Sequence, residues 1–184
     1  MILIRKPFVF ARHAQSTFNQ AYLIGGATDS PLSPLGVKQA KAAQPTLARV
    51  QWSQVVTSTL KRTQQTAQFA VPDQSLLPLA ALCERNWGVL EGQPIEAQLP
   101  YERTPEQGES WRTFELRILE GLNQVLEVYE WPLIIAHSGV YRVLNNYING
   151  TPYCPRIGNV VPISFIPNQN DSGWVISSFE GTFV

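Results

Sequence analysis

The sequence predicts an α/β protein, a three-layer α/β/α sandwich with a mostly parallel central sheet and helices on both of its faces. Short apolar runs alternate with segments whose apolar residues recur every three or four positions, the succession expected of strands joined by crossover helices. Two of the runs, FVFA and LIIA, stop at polar and glycine residues, as buried strands do where their carboxyl ends open into loops. Each leads into a histidine, and the chain has only two, His13 and His137. In open α/β sheets that rim is where ligands bind.

Phe8 to Ala11 form the first strand. Arg12 to Asp29 is polar, contains Gly25-Gly26 and reads as a long loop. Ser33-Pro34 opens a helix, because serine caps free amides and proline is tolerated in the first turn. Val37, Ala40 and Leu47 continue at helical spacing, with Pro45 expected to kink or split the helix. Gln54 to Ser58 make a second strand and Leu60 to Ala70 a second helix. Leu76 to Leu82 reads as a third strand of open direction.

Cys83 to Gly108 is rich in proline, glycine and glutamate and has no clear period; segments of this kind are usually functional or mobile. Trp111, Phe114, Ile118, Leu122, Val125 and Tyr129 step along one face of a long amphipathic helix. Leu133 to Ala136 is the next strand and Val140 to Ile148 a short helix. Val161 to Ile166 and Trp174 to Ser178 close as strands. Residues 1–184 therefore read as a single domain with an irregular substrate-side segment at about 83–108.

Fourteen lysines and arginines balance fourteen aspartates and glutamates, so no global field recruits nucleic acid or an anionic membrane. Any anion site is local. Cys83 and Cys154 are too few for a disulfide framework and read as reduced thiols of a cytoplasmic protein. MILIRKPFVF has too short an apolar core for a signal peptide, and no stretch nears the roughly 18 apolar residues of a membrane span. Oligomeric state is not legible.

Arg12-His13 carries the first chemical signal. An imidazole can attack phosphorus while a neighbouring guanidinium holds phosphate oxygens in a two-pronged grip. Its context, RHAQSTFN followed by GATDSPLSPLG, resembles the signature of the histidine phosphatase superfamily, the phosphoglycerate mutase-like branch 1 phosphatases. That signature is arginine-histidine-glycine, then a small polar residue and an asparagine; here Ala14 replaces the glycine, which is expected to narrow the approach of backbone to phosphate. VVTSTLKRTQQTA is similar to the family's second strand and helix, with Arg62 at the place of a further phosphate-binding arginine. LCERNWGVLEG resembles the segment of the proton donor, matched by Glu84. GESWRTFELR is similar to the start of the family's long helix, and IIAHSG supplies His137. The five motifs stand in the family's order over nearly the whole chain.

The resemblance implies a metal-independent phosphomonoesterase without a cofactor, acting on a small phosphorylated substrate. His13 is the implied nucleophile, Glu84 the acid, and Arg12, Arg62 and a protonated or hydrogen-bonding His137 the phosphate stabilisers. Asn19, Ser16, Gly26 and Ser138 are implied on the phosphate or substrate side. The nucleophile needs an unprotonated ring nitrogen, so nearby arginines are expected to lower its pKa and a backbone carbonyl to fix its tautomer.

Other readings of the same residues remain. Arg62 alone reads as a solvated helix residue, Glu84-Arg85 as a surface ion pair, Asn19 as a turn residue, and Trp87 and Trp111 as packing. Glu109 competes for the role of acid but also suits the positive end of the long helix. Neither cysteine starts a Cys-x5-Arg loop, and Asp-x-Asp and Gly-x4-Gly-Lys motifs are absent. A serine hydrolase fails on AHSGV, where Ala136 and Val140 replace both glycines of the nucleophile elbow. A non-catalytic phosphoryl-binding module and a mutase stay as alternatives. Against the mutase, QPIEAQLPYERTPEQG offers only Arg103 where larger mutases carry a basic clamp, and Asn86-Trp87 stands where the glycolytic mutases have His-Tyr.

Overall fold

The computed structural model describes residues 1–170 and 172–183. Among them, six strands form one sheet: β1 (Phe8–Arg12), β2 (Val55–Thr57), β3 (Leu76–Pro78), β4 (Leu133–Ala136), β5 (Ile163–Pro167) and β6 (Trp174–Ser178). Their spatial order is β3-β2-β4-β1-β5-β6. The β3-β2, β2-β4 and β4-β1 pairs are parallel, whereas β5 runs antiparallel to β1 and to β6. The sheet is thus mostly parallel, as the alternation predicts.

The helices are α1 (Thr17–Gln20), α2 (Pro34–Ala42), α3 (Gln44–Leu47), α4 (Lys61–Ala70), α5 (Trp111–Val128) and α6 (Ser138–Asn149). Successive strand residues point to opposite faces, and the two cores follow that alternation. Phe8, Phe10, Val56, Ile134 and Ala136 pack with residues of α5 and α6. Val9, Ala11, Val55, Leu133 and Ile135 pack with residues of α2, α3 and α4. Three layers result. Phe8 and Phe165 stack at 4.9 Å and tie the antiparallel β5 to the same core.

Pro45 does split its helix: α2 ends at Ala42 and α3 begins at Gln44 with the proline in its first turn. The third strand is shorter than the apolar run suggested. It leaves β2 after Pro78, and Ala80–Leu82 form a 3-10 turn that buries Leu82 against α5. Its direction is parallel to β2. The loop from Arg12 to Asp29 contains an unforeseen helical turn, α1, closed by a capping box between Ser16 and Asn19. Among the described residues no helix is long and apolar enough to cross a membrane.

Candidate active site

Parallel pairing in register brings the two histidines together. Arg12 of β1 stands opposite Ala136 of β4, so both strands end at the same level. The His13 N–H donates to the Ala136 carbonyl at 2.9 Å, and the imidazole centroids lie 5.2 Å apart. β2 ends beside them, and Ser58 Oγ, just beyond it, lies 2.8 Å from His137 Nε2.

His13 is buried, and its Nδ1 lies 2.6 Å from the Ala14 carbonyl. A carbonyl only accepts, so Nδ1 carries the proton and Nε2 is left with its lone pair. Burial, then the charges of Arg62 and Arg12, hold the pKa well below the ordinary 6.5. The ring is therefore neutral at neutral pH, fixed in orientation, with the Nε2 lone pair unprotonated. Ala14 does not crowd the site as expected. It is fully buried with the core beneath α2–α4, its N–H donates to Thr66 Oγ1 at 3.0 Å, and it does not line the cavity.

Two arginines are held beside this ring at the cost of burying charge. Arg62 is 3% exposed. Its Nη2 donates to the Gly26 carbonyl at 2.7 Å and its Nη1 to the Thr28 carbonyl at 2.9 Å, so it is no solvated helix residue. Burial lowers its pKa, opposed by Glu84, Asp29 and Glu91 among its neighbours. Arg12 donates to the Ile157 carbonyl at 3.2 Å, and its buried Nε has no protein partner among the described residues. Burial and then Arg156 push its pKa down to about 10, which leaves it charged at neutral pH. Buried guanidinium hydrogens without acceptors suit an incoming oxyanion.

His137 is fully buried behind the pair. Burial, Arg62, His13 and Arg12 hold its pKa well below 6.5, so it is neutral at neutral pH and offers hydrogen bonding and not an imidazolium charge. Its Nδ1 has no partner among the described residues.

Glu84, in the segment before the long helix, lines the same cavity as His13. Its carboxylate accepts from the Arg85 N–H at 2.9 Å and from the Gly139 N–H, in the first turn of α6, also at 2.9 Å. Glu109 is elsewhere: both its oxygens pair with Arg117, at 2.9 and 2.8 Å, and it does not line the cavity. Ser110 caps α5, and Glu109 stands immediately before it at the positive end of the helix. The Glu84-Arg85 surface pair is also overturned. Arg85 is 1% exposed and donates to the carbonyls of Glu109, Tyr101 and Arg103 at 2.9–3.0 Å, with its guanidinium 4.6 Å from the Trp87 ring.

A cavity of about 210 Å³ opens above the strand ends. Arg12, His13, Ser16, Asn19, Gly26, Arg62, Glu84 and Ser138 all line it, while His137 lies behind. Ser16 Oγ is committed to capping α1, and Asn19 Oδ1 accepts from the Ser16 N–H at 3.2 Å, so Asn19 is both turn residue and cavity wall. Gly26 supports Arg62 through its carbonyl. Trp87 combines packing and lining; Trp111 packs on the core and on Tyr101.

A family model described as histidine phosphatase superfamily, branch 1, matches residues 8–156. The chain belongs to that superfamily. Among its relatives, a probable phosphoglycerate mutase GpmB of Yersinia pestis is 31% identical over 91% of this chain and 89% of its own. Among solved structures, a putative α-ribazole-5′-P phosphatase from Escherichia coli superposes with TM-score 0.82 at 20% identity, covering 95% of this chain and 96% of that one. A mycobacterial glucosyl-3-phosphoglycerate phosphatase does so with TM-score 0.79 at 22% identity, over 96% and 99%.

For this histidine phosphatase superfamily member, the residues missed by sequence reading are those that tertiary structure delivers. Ser58 was the one with a local signal, sitting at the end of β2 where strand-end residues meet the ligand rim. Tyr101, Arg142 and Arg156 reach the cavity from the irregular segment, from α6 and from the loop before β5. Arg142 stacks on Tyr101 at 5.2 Å and donates to the Pro152 carbonyl at 2.9 Å. Among the described residues no group of three His, Cys, Asp or Glu is placed to hold a metal ion.

Proposed function

We propose that this chain is a phosphomonoesterase that works through a phosphohistidine on His13, with a small phosphorylated metabolite as substrate. The observation that carries the reading is the Nδ1 contact of His13 with the Ala14 carbonyl at 2.6 Å, which leaves Nε2 as a lone-pair nitrogen between two buried arginines. His13 Nε2 attacks phosphorus, and the bond from phosphorus to the ester oxygen breaks. Glu84, protonated, delivers its proton to the departing oxygen. The resulting carboxylate then takes a proton from water, whose oxygen attacks phosphorus and breaks the P–N bond. Arg12 and Arg62 stabilise charge on the outer oxygens throughout, the dominant need of phosphoryl transfer.

Water as acceptor is favoured by the 93–108 part of the cavity wall, which places no cationic side chain there. The segment 93–108 supplies Ile95, Gln98 and Tyr101, and Arg103, its sole basic residue, uses its carbonyl to hold Arg85. A second reading, transfer between the hydroxyls of a phosphoglycerate, draws on Arg142 and Arg156, two further cations in the same wall. A phosphomonoester panel assayed with wild type and His13→Ala, together with trapping of acid-labile phosphohistidine, tests the proposal. Phosphate release and trapping are expected for wild type alone. Near-wild-type turnover by His13→Ala overturns the mechanism; 2-/3-phosphoglycerate interconversion with little phosphate release selects the second reading.

A further inference from the structure

Glu91 follows the 3-10 turn Gly88–Leu90, and its carboxylate is used four times. Oε1 accepts from the Ala27 N–H at 2.8 Å and the Trp87 N–H at 3.0 Å. Oε2 accepts from the Thr28 N–H at 2.7 Å and also from the Thr28 hydroxyl. A Cβ at Gly26 would lie 2.1 Å from Oε1, so the carboxylate fills the place of a side chain there; the φ of +51° at Gly26 favours glycine as well. The same turn presents the Gly26 and Thr28 carbonyls to Arg62. Residues 26–28 are thus gripped on their N–H side by Glu91 and on their carbonyl side by Arg62.

We propose that Glu91 is a positioning residue that fixes the plane of the Arg62 guanidinium through the 26–28 turn, and with it the geometry of the oxyanion site. The inference rests on the reading of Arg62 as a phosphate-holding residue. A guanidinium is a rigid fork, so once each Nη has given one hydrogen to a fixed carbonyl, the directions of the remaining hydrogens are set. Glu91 has the right chemistry because an ionised carboxylate only accepts. A glutamine in its place would turn an NH2 group against one pair of donors.

The turn does not depend on Glu91 for its existence. Ile24 N–H donates to the Gln93 carbonyl at 2.9 Å, Gly92 N–H to Ile24 at 2.8 Å and Ile95 N–H to Tyr22 at 2.8 Å, lacing the two segments together. Glu91→Gln therefore loosens the carbonyl pair without releasing the loop.

The experiment compares wild type, Glu91→Gln, Arg62→Ala and the double variant by tungstate binding in calorimetry, turnover of p-nitrophenyl phosphate, and thermal melting. Glu91→Gln is expected to lower kcat by up to about 10²-fold, the cost of misplacing a group by about an ångström, and to weaken tungstate binding. In the Arg62→Ala background the same change is expected to add less than about threefold, since residues acting through one another are not additive. Full additivity, or tungstate affinity retained by Glu91→Gln whatever its melting temperature, overturns the proposal. Tungstate binding needs no turnover, so a wild type that binds the oxyanion but forms no phosphohistidine refutes the phosphatase reading while the cycle still decides on Glu91. A wild type that does not bind tungstate overturns both.

Discussion

A Cβ placed on Gly139 would fall 2.0 Å from Glu84 Oε1. The carboxylate occupies the space that any side chain at that position would need, and the Gly139 amide completes the seat with its 2.9 Å hydrogen bond to Oε2. The position of Glu84 is therefore encoded by an absence of atoms on the facing helix. Gly139→Ala is expected to displace the carboxylate, lowering turnover by about 10²-fold as loss of a positioned acid does, while the chain still folds. Circular dichroism and steady-state kinetics on the purified variant check both parts.

The acid role proposed for Glu84 should show in the dependence on leaving group. Glu84→Gln is expected to lose about 10² to 10⁴ in rate on an alkyl phosphate, the range for general acid catalysis. The loss on p-nitrophenyl phosphate should be smaller, because nitrophenolate departs with little need of a proton. Parallel kcat/KM values for the two esters test it; equal losses would argue that Glu84 does not protonate the leaving oxygen.

The two histidines also link folding to pH. Their native pKa values lie well below the ordinary 6.5, so between those values and 6.5 the unfolded chain binds more protons than the native one. Stability is then full above pH 6.5 and declines as the pH falls through that window, by at most about 1.4 kcal/mol per pH unit for each histidine. Urea midpoints measured from pH 7.5 to 5 should follow this slope, and His137→Gln should flatten it. Activity governed by the His13 lone pair should hold to pH values below 6.5 for the same reason.

Arg85→Ala removes a buried cation and strands three backbone carbonyls, those of Glu109, Tyr101 and Arg103. A stability loss of roughly 3 kcal/mol is expected from leaving such acceptors unpaired. Tyr101 and Gln98 would lose their fixed position in the cavity wall, so KM should rise more than kcat falls. Denaturant titration and a substrate saturation curve separate the two effects.

The sequence made the strand ends legible because two scarce residues marked them, and parallel register did the rest: Arg12 opposite Ala136 forces His13 beside His137. Ser16 and Asn19 were harder to read, since a capping box with asparagine at its third position lacks the usual glutamate or glutamine. Leu82 belongs to an apolar run that reads as strand throughout, but it lies in a 3-10 turn packed on α5 and not in the sheet. Arg142 and Arg156 carried no local signal, because only the closing of α6 and the loop before β5 over the sheet edge brings them to the cavity. Arg85 was misread for a related reason: a charged residue in an irregular segment looks solvated until its three carbonyl partners are folded around it.

Those partners are carbonyls, and carbonyls are common to every residue type. Arg85 therefore anchors the irregular segment by its backbone, without hydrogen-bonding the side chains at positions 101, 103 and 109. Ile95, Gln98 and Tyr101 line the cavity from this segment, and none of their side chains is among the partners of the Arg85 guanidinium in its hydrogen bonds. On the proposed reading, the chain holds its reacting groups at the strand ends and its substrate wall by a backbone anchor, so the two can vary separately.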